Sequence, residues 1–178
     1  WRVQFPSPIF CSPAMSPGGV SASNGGIAVV GCADGSIVGI NPDNGRRVWK
    51  IKTSKPIFSS ASFCQFPNKG LTNIITCAVV GSHDKSIKCI NIENGEEIWN
   101  VNLNSEVFSV PFIVKIPPIA RSDIMVHAIE ETNIGKIIDQ NTVSKEVTTT
   151  VVVVTEVCGT LSTVEFQSGQ ILSQVDTP

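Results

Sequence analysis

The sequence has few of the side chains that carry chemistry. Its 178 residues include two histidines and no tyrosine, only 16% are charged, and the net charge is −2. Lysine and arginine are dispersed along the chain, with one adjacent pair at 46–47, so we expect no basic face that could follow a phosphate backbone or an anionic membrane. The longest aliphatic run, residues 151–154, falls far short of the roughly 20 residues that cross a bilayer. We therefore expect neither nucleic acid nor membrane as a partner.

Motifs of known catalytic and metal sites are also missing. The sequence contains no phosphate-binding loop and no nucleophile elbow. Ser82, His83 and Asp84 are consecutive in a turn, where their side chains point apart, and His83 is expected to be solvated. His127 has no second ligand at metal spacing and is expected to lie in a core or interface, and the acidic pair 130–131 is expected on a solvated edge. We predict no catalytic, cofactor-binding or metal-ligating residue in this chain, which is not expected to be an enzyme by itself.

The six cysteines lack the CxxC spacing of redox and zinc motifs. They lie singly in apolar segments, where a cysteine is usually a small buried hydrophobe, and the chain is too large to need a disulfide framework. We therefore expect an intracellular, cytoplasmic location. The cysteines are Cys11, Cys32, Cys64, Cys77, Cys89 and Cys158.

The main feature of the sequence is an internal repeat. Residues 39–49 return as residues 89–99, and the match runs without a gap from 29–59 to 79–109, an offset of 50. Residues 1–10 match residues 49–58 at an offset of 48. A repeat of this length is typical of propellers and solenoids.

Each repeat predicts four short antiparallel strands and no helix. Apolar, β-branched segments are separated by turn signals, such as Asp34-Gly35, for which we expect positive φ at both residues. Lys85 replaces that glycine in the second copy and predicts a looser turn. Such units indicate an all-β, partial β-propeller of four-stranded antiparallel blades. The expected single incomplete arc, 1–178, divides into the last strand of a preceding blade (1–5), two blades (6–53 and 54–103) and a degenerate blade (104–178).

The third copy is interrupted. Residues 158–172 match residues 34–48 at an offset of 124, so about 24 extra residues precede them. We expect an extended hairpin around 124–157 between the second and third strands, rising through 124–138, turning at 139–146 and returning through 148–157. Ser173 stands where the other copies carry tryptophan. The arc and a high mean hydropathy of +0.19 lead us to expect part of a longer polypeptide.

The repeated tryptophans are expected to dock one blade on the next. A tryptophan buries about 150–250 Å², enough to fill the gap between two sheets. The small residue ten positions earlier, Gly39 or Cys89, is expected to leave room for the neighbouring blade's indole, and Asn41 or Asn91 to tie the turn to it. The predicted docking residues are Gly39, Asn41, Gly45, Trp49, Cys89, Asn91, Gly95, Trp99 and Trp1.

This spacing resembles the A-x-D-x-x-T-G-K-x-x-W motif of the repeats in pyrroloquinoline quinone (PQQ) enzymes. Asn41 and Asn91 replace the aspartate of that motif, and Asn44 and Asn94 replace its threonine. Most of the chain resembles the C-terminal PQQ-like propeller of the β-alanine-activating enzyme family, which is adenylate-forming and similar to acyl-CoA synthetases. The resemblance implies a non-catalytic scaffold in an ATP-dependent ligase whose AMP-binding and phosphopantetheine carrier domains lie upstream.

That resemblance implies several partners and leaves two alternatives. The partners are the remaining blades, the upstream domains and an acceptor protein, while ATP and phosphopantetheine belong to the parent. The first alternative is a quinone-dependent dehydrogenase propeller with PQQ and Ca²⁺ on its axis, which predicts adjacent cysteines, and the sequence has none. The second is a stand-alone protein-interaction propeller, periplasmic or secreted.

Overall fold

The structure is a computed structural model that describes residues 1–17, 26–67, 74–116 and 149–176. Within these ranges the regular structure consists of β-strands, and no helix is long and apolar enough to span a membrane. The strands are β1 (Ala14–Met15), β2 (Ala28–Gly31), β3 (Ser36–Ile40), β4 (Arg47–Lys52), β5 (Ser62–Pro67), β6 (Ile74–Gly81), β7 (Ser86–Asn91), β8 (Glu97–Asn102), β9 (Phe112–Ile116), β10 (Thr149–Thr155), β11 (Thr160–Glu165) and β12 (Ile171–Asp176).

The described strands form three antiparallel four-stranded sheets. In chain order the first sheet is β1-β2-β3-β4, the second is β5-β6-β7-β8 and the third is β9-β10-β11-β12. Strands β5 and β9 contact each other, and the Ser62 hydroxyl donates to the Pro111 carbonyl. The first strands of the second and third sheets therefore lie close together, as expected for the inner strands of propeller blades. The sheets confirm the predicted fold class, a partial β-propeller.

Two hydrophobic cores lie between the sheets. The first core joins side chains such as Val29 and Ile37 to Val80 and Ile90 of the second sheet. The second joins Cys89 and other members of the second sheet to the third. The middle sheet is covered on both faces, so β6 and β7 are buried almost continuously rather than at every second residue.

The turn between the second and third strands has one geometry in all three sheets. Its third residue has positive φ: 83° at Gly35, 69° at Lys85 and 91° at Gly159. Two expectations are therefore corrected, since Lys85 adopts the same turn rather than a looser one and Asp34 does not share the positive φ of Gly35. Closure of the turn by backbone hydrogen bonds holds the lysine in a conformation that glycine adopts more easily.

The third sheet corrects the position of the insertion. Strand β10 pairs with β9 on one side and with β11 on the other. Both edges of residues 149–155 are thus occupied, so this segment is the second strand of its sheet and not the returning arm of a hairpin that starts at 124. The insertion falls between the first and second strands, in residues 117–148, which lie outside the described residues. The expectations for His127, for 130–131 and for the tip at 139–146 also lie outside them.

Candidate interaction surface

Three joints between neighbouring units share one geometry. The Nε1 of Trp49 donates to the carbonyl of Ile92 at 2.6 Å, and the Nε1 of Trp99 donates to the carbonyl of Phe166 at 2.7 Å. Trp1 makes the same bond to Pro42 at 2.8 Å. Each acceptor lies in the turn between the third and fourth strands of the next sheet. The indole therefore fixes both the spacing and the register of adjacent sheets.

A glycine forms the seat under each indole. Gly45, Gly95 and Gly169 have φ of 70°, 76° and 72°. A Cβ at Gly95 would lie 2.7 Å from the Cβ of Trp49, and one at Gly169 would lie 2.9 Å from the Cγ of Trp99. These positions require glycine for two reasons: the backbone is left-handed, and the ring approaches too closely to leave room for a side chain.

The small residues on the third strands serve the indole of their own sheet, which corrects the expectation for Gly39 and Cys89. Gly39 pairs directly with Trp49, and Cys89 pairs with Trp99. A Cβ at Gly39 would lie 2.2 Å from the Cε2 of Trp49. Because directly opposite side chains share one face of a sheet, Gly39 leaves room for the Trp49 ring on the face of its own sheet, from which the ring reaches the next turn.

The asparagines close their own turns, which corrects the expectation that they bind the indole. The Oδ1 of Asn41 accepts from the Asp43 amide at 2.8 Å, and the Oδ1 of Asn91 accepts from the Glu93 amide at 2.9 Å. In the third sheet the carboxylate of Glu165 takes this role. The side chain thus shapes the turn that offers its carbonyl to the indole.

A row of phenylalanines, of which the two outer ones are exposed, crosses the units on the side of the second-to-third-strand turns. The rings of Phe58 and Phe108 stack with centroids 5.2 Å apart and an angle of 9°, and Phe10 lies 5.6 Å from Phe58. His83 packs edge-on against Phe58 and Phe108 at 5.7 and 5.0 Å. Phe10 is 67% and Phe108 47% exposed. We call Phe10, Phe58, Phe108 and His83 the aromatic row. Its signal was present in the sequence, because the phenylalanines recur at the repeat offsets of 48 and 50.

The aromatic row corrects the expectation for His83, and the hydrogen bonds around it form no catalytic triad. The imidazole is half-buried between rings rather than solvated. The hydroxyl of Ser82 accepts from the Asp84 amide, and the Asp84 carboxylate accepts from Ser86 and from the amide and hydroxyl of Ser54. Burial opposes ionisation of Asp84, but these hydrogen bonds outweigh it and lower its pKa. Asp84 therefore ties the segment after β4 to the second sheet.

A carboxylate also closes this region of the third sheet, at a different position. Glu156, buried and aligned with Cys32 and Ser82, accepts from the Ser105 amide and the Ser162 hydroxyl, both at 2.6 Å. The repeat alignment gives no signal for this residue, because the first two units carry no acid there. Its contacts tie the segment after β8 to the third sheet.

The buried cysteines behave as core residues. Cys64, Cys77 and Cys89 lie in the core between the second and third sheets, and all six cysteines are free thiols. Burial raises the pKa of Cys64, and a hydrogen bond with Cys77 together with burial raises that of Cys89. A raised pKa keeps a thiol protonated and unreactive. Within the four described ranges, no group of three or more potential ligands is arranged to hold a metal ion.

Comparisons with known proteins identify the fold. No protein-family model and no curated protein matches the sequence. Among solved structures, the chain is similar to BamB from Moraxella catarrhalis (TM-score 0.54, 11% identity, 96% of this chain and 37% of that one). It is also similar to the computationally designed Ika4 protein (0.56, 16%, 98% and 76%) and to the RRP9 WD40 repeats (0.57, 10%, 98% and 40%). The chain thus spans about two fifths of the BamB and RRP9 chains and resembles them as an arc of a propeller.

Proposed function

We propose that this chain is a non-catalytic arc of a β-propeller that serves as an interaction scaffold in a larger protein. The observation that carries the proposal is the repeated indole joint. The residues that recur between units make this joint, and their polar groups are occupied in packing and turn closure rather than aimed at a ligand. What remains outside the joints is an exposed set of aromatic rings, and such patches are typical of protein contacts.

The proposed partner surface is the aromatic row. Phe10 and Phe108 are 67% and 47% exposed and keep apolar area in water, and a partner that covers them gains about 25 cal/mol per Å² of that area. We propose that the row contacts an acceptor protein or another domain of the same polypeptide. Free, buried thiols support a reducing, intracellular location for this contact.

We further propose that the parent is an amino-acid-activating enzyme with AMP-binding and phosphopantetheine carrier domains. This part rests on the sequence resemblance. A full-length parent with an AMP-binding domain and a carrier serine upstream of Trp1 supports the assignment, and a parent without them overturns it. Binding of ATP and phosphopantetheine belongs to those upstream domains.

A double substitution in the parent tests the scaffold role. In the Phe10→Ala/Phe108→Ala variant we expect amino-acid adenylation to stay unchanged, while delivery of the activated group to the acceptor falls. Arg46→Ala, an exposed change in a turn away from the row, is the matched control. Equal loss of adenylation and delivery in a folded double variant would contradict the proposal.

The quinone-dependent alternative has a direct test of its own. Its support is the resemblance of the docking spacing to the PQQ-enzyme motif. Titration of the full-length parent with PQQ and Ca²⁺, followed by the quinone absorbance, is expected to show no saturation. Saturable, stoichiometric binding would replace the scaffold with a cofactor-bearing propeller.

A further inference from the structure

The outer rim of the first sheet carries a cluster of cations. Strand β4 and the turn before it contain Arg46, Arg47, Lys50 and Lys52, all of them exposed. The first 60 residues hold six lysines and arginines against two acidic residues, whereas the rest of the chain holds seven against 13. Lys52 pairs with Asp34 at 3.2 Å, but among the described residues the other three have no carboxylate within salt-bridge distance. The rim therefore keeps unneutralised positive charge.

The exposure of these cations is a property of a fourth strand. Arg47 and Lys50 stand opposite Ile40 and Val38 in the ladder, and directly opposite side chains share one face of a sheet. On β8 the residue aligned with Lys50 is Asn100, which stays exposed although the first sheet covers that face of the second. The rim of β4 is thus accessible whether or not another sheet lies over the face.

The fold itself does not require cations on this rim. Lysines on edge strands commonly prevent edge-to-edge aggregation, but the other two fourth strands have none. At the positions aligned with Arg47 and Lys50, β8 carries Glu97 and Asn100. Strand β12 carries Ile171 and Gln174 there. Since all three strands end their sheets, edge protection alone does not explain why the cations concentrate on β4.

The same strand points free backbone groups outward. The Thr53 amide donates to the Gly35 carbonyl at 2.8 Å. Because hydrogen-bonded pairs alternate along an antiparallel ladder, Ile51 bonds to β3, while the backbone groups of Lys50 and Lys52 face away from it. No described strand pairs with this edge. Free donors and acceptors therefore lie directly beside the cationic side chains.

We propose that the free edge of β4 binds an acidic peptide segment in extended conformation, which adds to the complete first sheet as a fifth strand. Main-chain hydrogen bonds to the outward groups hold the strand, and carboxylates at alternate positions fall on the face of Lys50 and Lys52. So few cations do not form the long basic face that a phosphate backbone or a membrane requires. This site is separate from the aromatic row and does not rest on the proposed function.

A blocked heptapeptide that alternates glutamate and valine is the probe. Its binding to the full chain is followed by the fluorescence anisotropy of a labelled copy. We expect saturable binding that weakens at high salt, together with slowed exchange of the Lys50 and Lys52 amides. A glutamine–valine heptapeptide tests the charge, and a glutamate–valine heptapeptide with N-methylated backbone amides tests the ladder. Each is expected to bind about tenfold more weakly.

A double variant places the binding on β4. Arg47→Gln/Lys50→Gln is expected to lower the affinity for the glutamate peptide about tenfold, because two cross-strand ion pairs are lost, and to leave the affinity for the glutamine peptide unchanged. Lys115→Gln, which removes an exposed cation from β9, is the matched control and is expected to change neither.

Four results would overturn the proposal. The first two are the absence of saturable binding and equal affinity of the double variant and the unsubstituted chain. The third is equal binding of the N-methylated peptide, since the attraction would then be ionic without a ladder. The fourth is protection of the same two amides by oligothymidylate, or by self-association at high protein concentration, to the extent seen with the peptide. Nucleic acid or a second copy would then be the occupant.

Discussion

Substitution of Trp99 by alanine is the most direct test of the indole joint. The side chain is 8% exposed, donates to the Phe166 carbonyl at 2.7 Å and packs edge-on against the Phe166 ring at 6.3 Å. Loss of a buried tryptophan costs about 3–5 kcal/mol through lost transfer energy and the cavity left behind. The orphaned carbonyl adds about 1 kcal/mol if water does not reach it. We therefore expect a loss of about 4 kcal/mol.

The assay is urea unfolding followed by circular dichroism, with thermal melts in parallel. For a chain of this size a loss of about 4 kcal/mol corresponds to a melting temperature lower by about 8–16 °C. Trp99→Phe keeps a ring but not the donor, and we expect it to recover about half of the loss.

Trp1→Ala is the matched control for this prediction. Trp1 makes the same hydrogen bond but keeps most of its surface in water, so its removal is expected to cost only about 1 kcal/mol. The reasoning is refuted if Trp1→Ala and Trp99→Ala are equally destabilising, or if Trp99→Ala costs less than about 1 kcal/mol.

Three further predictions concern the turn between the second and third strands. Lys85→Gly should raise the free energy of unfolding by about 0.5–1 kcal/mol, because it removes a left-handed conformation from a side-chain-bearing residue, whereas Gly35→Ala should lower it, since its Cβ would lie 2.6 Å from the Lys55 carbonyl. Urea titrations check both, and equal signs would contradict the strain argument. Burial opposes ionisation of the Asp34 carboxyl, but hydrogen bonds from Ser36 and Lys52 outweigh it and lower the pKa of Asp34 to about 2. Its stabilisation is therefore complete above the unfolded pKa of about 3.9 and is lost as pH falls towards 2. The difference in free energy of unfolding between the unsubstituted chain and Asp34→Asn should vanish over that pH range. A difference that is constant with pH would contradict this prediction.

The repeat made the sheets predictable. When two segments match at a fixed offset, the same strands, turns and buried positions are expected in both. Residues 158–172 align with 34–48, and Gly159 and Gly169 share the positive φ of the aligned Gly35 and Gly45. The insertion was misplaced for a physical reason: residues 124–129 and 149–155 are both apolar and β-branched. Composition therefore fits either segment to the second strand, and only the pairing of β10 with β9 decides between them.

The residues that form the joint were easier to predict than the contact that each of them makes. The sequence spacing grouped Gly39, Gly45 and Trp49 as docking residues. It did not show which sheet's indole each glycine contacts. An indole bridges two sheets, so both glycines touch a ring: Gly39 on the tryptophan's own sheet and Gly45 on the sheet that the preceding indole reaches. One sequence carries no signal that separates these contacts. His83 was misread similarly, because its partners Phe58 and Phe108 come from two different units.

The joint between units constrains few side chains. The indole bonds to a backbone carbonyl, and the seat is a glycine, so the acceptor side chain can be Pro42, Ile92 or Phe166 without altering the bond. The turn that presents the carbonyl accepts asparagine in two units and Glu165 in the third. Because docking depends on so few side chains, the segments that carry the aromatic row can vary without loosening the arc. The partner contact proposed for the aromatic row could therefore be tuned independently of the fold.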